Sequence, residues 1–167
     1  MHHSRCASRS GTFDWSKSSV DESLRVVDIS NQYLTSLPNL VIENRQRIEH
    51  LILDGNRFSE HSLNIPLFAN LVTLSLNSNR IQNVGILLEH LRKQCPKLTF
   101  LSLIGNPGWP HPVSTSDFLM YSSYRKLAAH YLPELKFLDS TVVSRRRILK
   151  NTLSDSINRK NTTGDVS

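Results

Sequence analysis

Four stretches of this 167-residue chain share one apolar spacing: L-R-V-V-D-I from Leu24, I-E-H-L-I-L from Ile48, L-V-T-L-S-L from Leu71 and L-T-F-L-S-L from Leu98. Three residues beyond the last apolar position stand Gln32, Asn56, Asn79 and Asn106. The starts lie 24, 23 and 27 residues apart. A period of that size marks a supersecondary unit that cannot bury its apolar side alone, so neighbouring copies must stack on a shared core. The chain is therefore expected to be a solenoid.

Written out as L-x-x-L-x-L-x-x-N-x-L, the spacing is that of a leucine-rich repeat. Copy one supplies Leu24, Val27, Ile29, Leu34 and Leu37, and copy two Ile48, Leu51, Leu53, Phe58 and a displaced Leu63. Copy three supplies Leu71, Leu74, Leu76, Ile81 and Val84. Copy four has Leu98, Leu101 and Leu103, but Gly108 falls where an apolar residue belongs. Within each copy the L-x-L core reads as a short strand with its leucines inward and the residues between them outward. The asparagine follows at the bend, where its amide can satisfy backbone groups left unpaired. The expected class is α/β: a short right-handed β-α superhelix with a parallel concave sheet and a C-terminal helical cap.

Between copies three and four, Val84, Leu87, Leu88 and Leu91 recur at helical spacing, then come Arg92, Lys93 and Pro96. That is an amphipathic helix on the convex side, with cations near its C-terminus and a proline stop. Residues 40–48 predict a shorter convex turn. After Asn106 the clustered Pro and Gly residues predict a rigid, extended insertion. From Tyr124 a helix is expected with Leu127 and Tyr131 on one face, ending at Pro133. Leu135, Leu138 and Asp139 then make a last half repeat, closing the cap at 124–140.

These features divide the chain into a polar tail at 1–22, read as disordered, a repeat domain of about four copies at 23–144, and a basic disordered tail at 145–167. In the first tail Trp15 reads either as folding back onto the first repeat or, with Phe13, as a docking motif. The formal charge of +6 is unevenly placed. From Leu24 to Asp139 there are 11 Lys and Arg against 9 Asp and Glu, whereas from Ser140 onward there are six against two. The repeat domain is nearly neutral, which makes nucleic acid a poor partner. Arg145, Arg146 and Arg147 read as a solvated helix start, or as a contact for an acidic partner, an anionic membrane or an import receptor. Two cysteines, Cys6 and Cys95, cannot build paired disulfide caps, and M-H-H-S-R-C-A-S-R-S is no signal peptide. No window approaches the roughly 18 apolar residues of a membrane span. The expected setting is cytoplasmic, with a nuclear location as the alternative.

The block Y-R-x-x-x-x-x-Y-L-P-E-L-K-x-L-D, from Tyr124 to Asp139, resembles the C-terminal cap of the U2 small nuclear ribonucleoprotein A-prime and acidic nuclear phosphoprotein groups. The run L-L-E-H-L-R-K-Q-C-P-K-L-T-F-L-S-L-I-G-N-P, from Leu87 to Pro107, together with L-K-F-L-D from Leu135, resembles the leucine-rich melanocyte differentiation-associated protein family. The likeness spans roughly residues 24–145. It departs from the family at G-W-P-H-P after Asn106 and in the N-terminal tail. The resemblance implies a small adaptor of melanosome or endosome-related organelle biogenesis. It also implies a Rab-type small GTPase or an endosomal sorting complex as partner.

No C-x-x-C, H-E-x-x-H, phosphate loop or G-x-S-x-G motif occurs, so neither enzyme chemistry nor a metal or cofactor is expected. Function should lie on the outward positions of the concave strands: Asp28; His50, Ile52 and Asp54; Ser75 and Asn77; Phe100, Ser102 and Ile104; and Phe137 of the cap. Asp28 and Asp54 make one end mildly acidic, whereas Phe100, Ile104 and Phe137 make the other apolar. Exposed aromatics there are anchors for protein recognition, unless the cap helix or the insertion folds over them. Trp109 reads either as a plug for the core beside Gly108 or as an anchor on a rigid loop. The expected function is a monomeric, non-enzymatic protein-interaction adaptor. The alternatives are a nuclear ribonucleoprotein component and a scaffold of a ciliary or motor assembly.

Overall fold

Each L-x-L core can pair its backbone only with the same segment of the next coil, and the computed structural model, described for residues 19–21, 23–110 and 118–143, shows that pairing throughout. Strands β1 (Ser19–Val20), β2 (Val26–Asp28), β3 (His50–Ile52), β4 (Thr73–Ser75), β5 (Phe100–Ser102), β6 (Phe137–Leu138) and β7 (Thr141–Val142) form one sheet in chain order. The five inner strands are parallel, and each terminal strand is antiparallel to its neighbour. Val27, Leu51, Leu74, Leu101 and Leu138 lie in register and point into a single core.

Helices close the other side of that core. The α1 helix (Asn39–Glu43) buries Val41, and α2 (Val84–Gln94) buries Val84, Leu87, Leu88 and Leu91. The Asn83 side chain caps α2 by accepting the Ile86 N–H at 3.1 Å, and Arg92 and Lys93 stand in its last turn. Copy two has no such helix. There Phe58, Leu63, Ile65 and Phe68, all buried, fill the equivalent space from an irregular segment. Cys95 is buried as well, and desolvation pushes its thiol up to about 12, so it serves as packing rather than as a nucleophile.

The asparagine column holds one coil to the next. Asn79 donates from Nδ2 to the carbonyls of Leu53 (2.9 Å) and Leu76 (3.1 Å) and accepts the Phe58 N–H at 3.0 Å. Asn56 and Asn106 repeat the arrangement with the Ile29 and Leu76 carbonyls of their preceding coils. One residue earlier the backbone turns left-handed in every coil, at Asn31, Gly55, Ser78 and Gly105. Glycine and asparagine accept positive φ at low cost, whereas Ser78 is held there by its coil's backbone bond to Ile104. Gly108 is required for a different reason. A Cβ there would stand 1.9 Å from the Gln82 carbonyl oxygen, so the missing apolar residue of copy four reflects a close backbone approach.

Three expectations change. Ser19–Val20, assigned to a disordered tail, forms a strand that covers the free edge of β2. The cap helix α3 is longer than expected and begins at Phe118 (Phe118–Tyr131). Its buried face is Tyr121, Ala128 and the following Leu132, with Tyr124 and Tyr131 partly buried, whereas Leu127 is exposed. The expected readings of Phe13, Trp15 and residues 145–167 lie outside the described residues.

Glu60, in the segment after β3, gives a testable pH effect. Burial opposes its charge, but N–H groups of Gln82, of Glu60 itself and of Asn83 hold its carboxyl below the ordinary 4.5. A depressed folded value adds stability above pH 4.5 that is lost as the pH falls through the folded value. The stability gap between the native chain and Glu60→Gln, followed by urea unfolding, should therefore narrow as the pH drops below 4.5.

Candidate protein-recognition surface

Residues that alternate with the core leucines face away from the helices, and the register sorts them into columns. The first runs Val26, His50, Thr73, Phe100, Phe137 and Val142 across six strands. The second runs Asp28, Ile52, Ser75 and Ser102. Backbone bonds from Asn31 to Asp54, Gly55 to Asn77 and Ser78 to Ile104 align a third, of Asp54, Asn77 and Ile104. All the expected concave residues therefore share one face.

Their chemistry divides sharply. In the second and third columns the polar groups are engaged with one another. Asp28 Oδ1 accepts the Ser30 N–H and hydroxyl at 3.0 and 2.6 Å. Asp54 accepts the Asn77 N–H at 2.8 Å and its Nδ2 at 3.1 Å. Asn77 Oδ1 accepts the Ser102 hydroxyl at 2.7 Å and the Ile104 N–H at 2.9 Å, while Nδ2 donates to Ser75 Oγ at 3.0 Å. Ser75 and Ser102 are 8% and 4% exposed. These two are corrections: expected as outward contacts, they are buried links in a hydrogen-bond chain that ties coil to coil.

The first column is different. His50 Nδ1 lies 2.9 Å from Thr73 Oγ1. Beyond them the column turns apolar and accessible. The Phe100 and Phe137 rings meet at 6.5 Å between centroids, and Phe137 and Val142 are 42% and 63% exposed. Val26, at the opposite end, is 39% exposed. Ile52 and Ile104 add half-buried apolar area beside the column. Val142 escaped the sequence reading. Its signal was Asp139-Ser140, where both residues have positive φ and form the two-residue turn of a hairpin.

The cap that presents Phe137 is built around Asp139. Its Oδ1 accepts the Leu103 N–H at 2.8 Å, and its Oδ2 accepts Trp109 Nε1–H at 2.6 Å and the Tyr121 hydroxyl at 3.2 Å. Burial raises the Tyr121 hydroxyl above its ordinary value and keeps it protonated as a donor. Trp109 is buried, with its ring edge-on to Tyr121 and Tyr124. It is the plug rather than the anchor. Arg125 of α3 donates to the carbonyls of Leu138 (3.1 Å) and Val142 (2.9 Å), fixing the terminal hairpin. The open face is thus not covered by the cap helix or by Trp109.

No protein-family profile matches the chain. It is 41% identical over 101 residues to the Leucine-rich melanocyte differentiation-associated protein of Homo sapiens, a match covering 59% of this chain and 50% of that protein. Among solved structures, a chain of the Drosophila melanogaster SNF/U2A′ complex superposes with a TM-score of 0.55 at 18% identity, covering 85% of this chain and 92% of that one. The fold is that of a leucine-rich repeat solenoid. The 41% identity bears out the family resemblance read from the sequence, although this leucine-rich repeat chain spans about half the length of the curated relative it matches. The SNF/U2A′ likeness is one of fold alone. A weaker likeness, TM-score 0.46 at 16% identity, is to Leiomodin-1 Actin-Binding Site 2. Among the described residues no three His, Cys, Asp or Glu side chains gather to hold a metal ion, and no helix is long and apolar enough to cross a membrane.

Proposed function

We propose that this leucine-rich repeat protein is a non-enzymatic adaptor that binds a protein partner through the apolar column of its open sheet face. The observation that carries the reading is the Phe100–Phe137 pair, extended by Val142 and left accessible at the capped end. Aromatic side chains on an ordered sheet bury large areas at little entropic cost, which makes them frequent anchors of protein interfaces. The neighbouring polar columns contribute rigidity, because their groups are already paired.

The finer reading is a cytoplasmic role in melanosome or endosome-related organelle biogenesis. A Rab-type small GTPase or an endosomal sorting component is the class of partner it would hold. Its support is the 41% identity to the human melanocyte differentiation-associated protein, together with the run from Leu87 to Pro107 and L-K-F-L-D from Leu135.

The test is affinity capture with the tagged chain from pigment-cell lysate. Phe100→Ala and Ile52→Ala should each reduce partner recovery several-fold, whereas deleting residues 145–167 should leave it unchanged. Each truncation removes roughly 1–3 kcal/mol from an anchor. Equal yields from the native and Phe100→Ala proteins would show that the partner binds elsewhere.

A further inference from the structure

Tyr33, Arg57 and Arg80 each follow the asparagine slot in three successive coils. The Arg57 N–H donates to the Leu34 carbonyl at 2.8 Å and the Arg80 N–H to the Phe58 carbonyl at 2.9 Å. Those bonds set the three residues side by side, at about the 4.8 Å spacing of paired strands. Asn56, Phe58, Asn79 and Ile81, which flank the arginines, are buried, so the side chains between them point outward. Tyr33 is 70% exposed, and both arginines are exposed.

The Arg57 guanidinium lies 4.8 Å from the centroid of the Tyr33 ring. Stacking uses the flat face of the guanidinium and leaves its in-plane N–H donors available. Among the described residues, neither the Arg57 nor the Arg80 side chain has an ion-pair partner or a hydrogen-bond acceptor. Tyr33 itself adopts φ 57, a left-handed conformation that a bulky side chain resists. Asn56 Oδ1 enforces it by accepting the N–H of Gln32 at 3.1 Å and of Leu34 at 3.0 Å. A resisted backbone held from both sides, delivering an exposed ring over an open guanidinium, is a pattern found where surfaces bind.

We propose that Tyr33, Arg57 and Arg80 form an oxyanion-binding stripe for an acidic segment of a protein partner. Guanidinium forks match carboxylate and phosphate oxygens, and two of them in adjacent coils suit one phosphorylated side chain or a pair of carboxylates. A protein segment fits better than nucleic acid or a membrane. Only two cations are present, on a domain carrying 11 basic against 9 acidic residues, whereas those surfaces call for longer basic tracts. The stripe lies off the open sheet face, so it stands whether or not the Phe100 column binds.

Fluorescence anisotropy of the full chain with three labelled peptides of equal length tests this: one glutamate-rich, one phosphoserine-containing and one neutral. Either acidic peptide should bind, with affinity about tenfold or more weaker for the Arg57→Gln/Arg80→Gln protein, as expected for a lost charge-assisted contact. Tyr33→Asn should weaken binding while keeping the unfolding midpoint, because asparagine accepts the left-handed backbone. Arg47→Gln, removing an exposed arginine elsewhere, should bind like the native chain. Four results would overturn the proposal: equal binding of the neutral peptide, an equal loss in Arg47→Gln, unchanged binding by Arg57→Gln/Arg80→Gln, or binding to anionic vesicles with none to peptide.

Discussion

Replacing Asp139 with alanine should lower the stability of the chain by about 3–5 kcal/mol, because three buried donors each lose an acceptor at about 1–3 kcal/mol, less what relaxation recovers. The carboxylate serves three parts of the molecule at once: the Leu103 N–H of the last full coil, the Trp109 indole of the loop and the Tyr121 hydroxyl of α3. Removing it orphans all three in a buried site. The loss should be read as a drop in the urea midpoint. In a Trp15→Phe background it should also appear as a red shift of Trp109 emission as the cap loosens. Asp139→Asn should fall between the two, because one oxygen remains to accept while the amide adds donors facing donors. If Asp139→Ala unfolds at the native midpoint, the cap is held by apolar packing and the carboxylate is incidental.

Asn79→Ala should have an effect of similar size. The amide serves the Leu53 and Leu76 carbonyls and the Phe58 N–H, all within buried surroundings. Each unsatisfied group costs about 1–3 kcal/mol, and partial relaxation should leave a net loss of about 3 kcal/mol or more. Asn70→Ala is the comparison. Its contacts with Gln46 and Lys97 are exposed, and its effect should stay within about 0.5 kcal/mol. A solenoid is stabilised by its interfaces between coils, so a central asparagine spanning two coils should matter far more than a surface one.

Much of this was legible in the sequence, because leucine spacing acts through geometry that is local and repeated. The inward positions Val27, Leu51, Leu74, Leu101 and Leu138 follow from period-2 alternation once the register is known, and the register follows from equal repeat lengths. The α2 helix was readable from Val84, Leu87, Leu88 and Leu91. What escaped depended on contacts distant in sequence. Nothing near Ser102 signals that its hydroxyl will meet Asn77, 25 residues earlier, and Asp139, 37 residues later. Tyr121 lies outside the repeat pattern, and its burial is set by Asp139, 18 residues away, so α3 extended further toward the N-terminus than its motif. Gly108 looked like a defect in copy four, yet it exists because the Gln82 backbone crosses that point. The left-handed column at Asn31, Gly55, Ser78 and Gly105 was visible as a run of small or amide residues at one repeat position, but only the backbone angles give it meaning.

The division of the open face into an engaged polar part and an accessible apolar column follows from the same long-range bonds. It narrows the candidate surface from ten concave positions to the column ending at Phe100, Phe137 and Val142, with Ile52 and Ile104 beside it. Hydroxyl-radical footprinting of the chain with and without its captured partner tests that most directly. Oxidation of Phe100 and Phe137 should fall in the complex, while Leu119 and Met120, exposed on α3, are labelled as in the free protein. Protection of the α3 residues with undiminished labelling of both phenylalanines would contradict it.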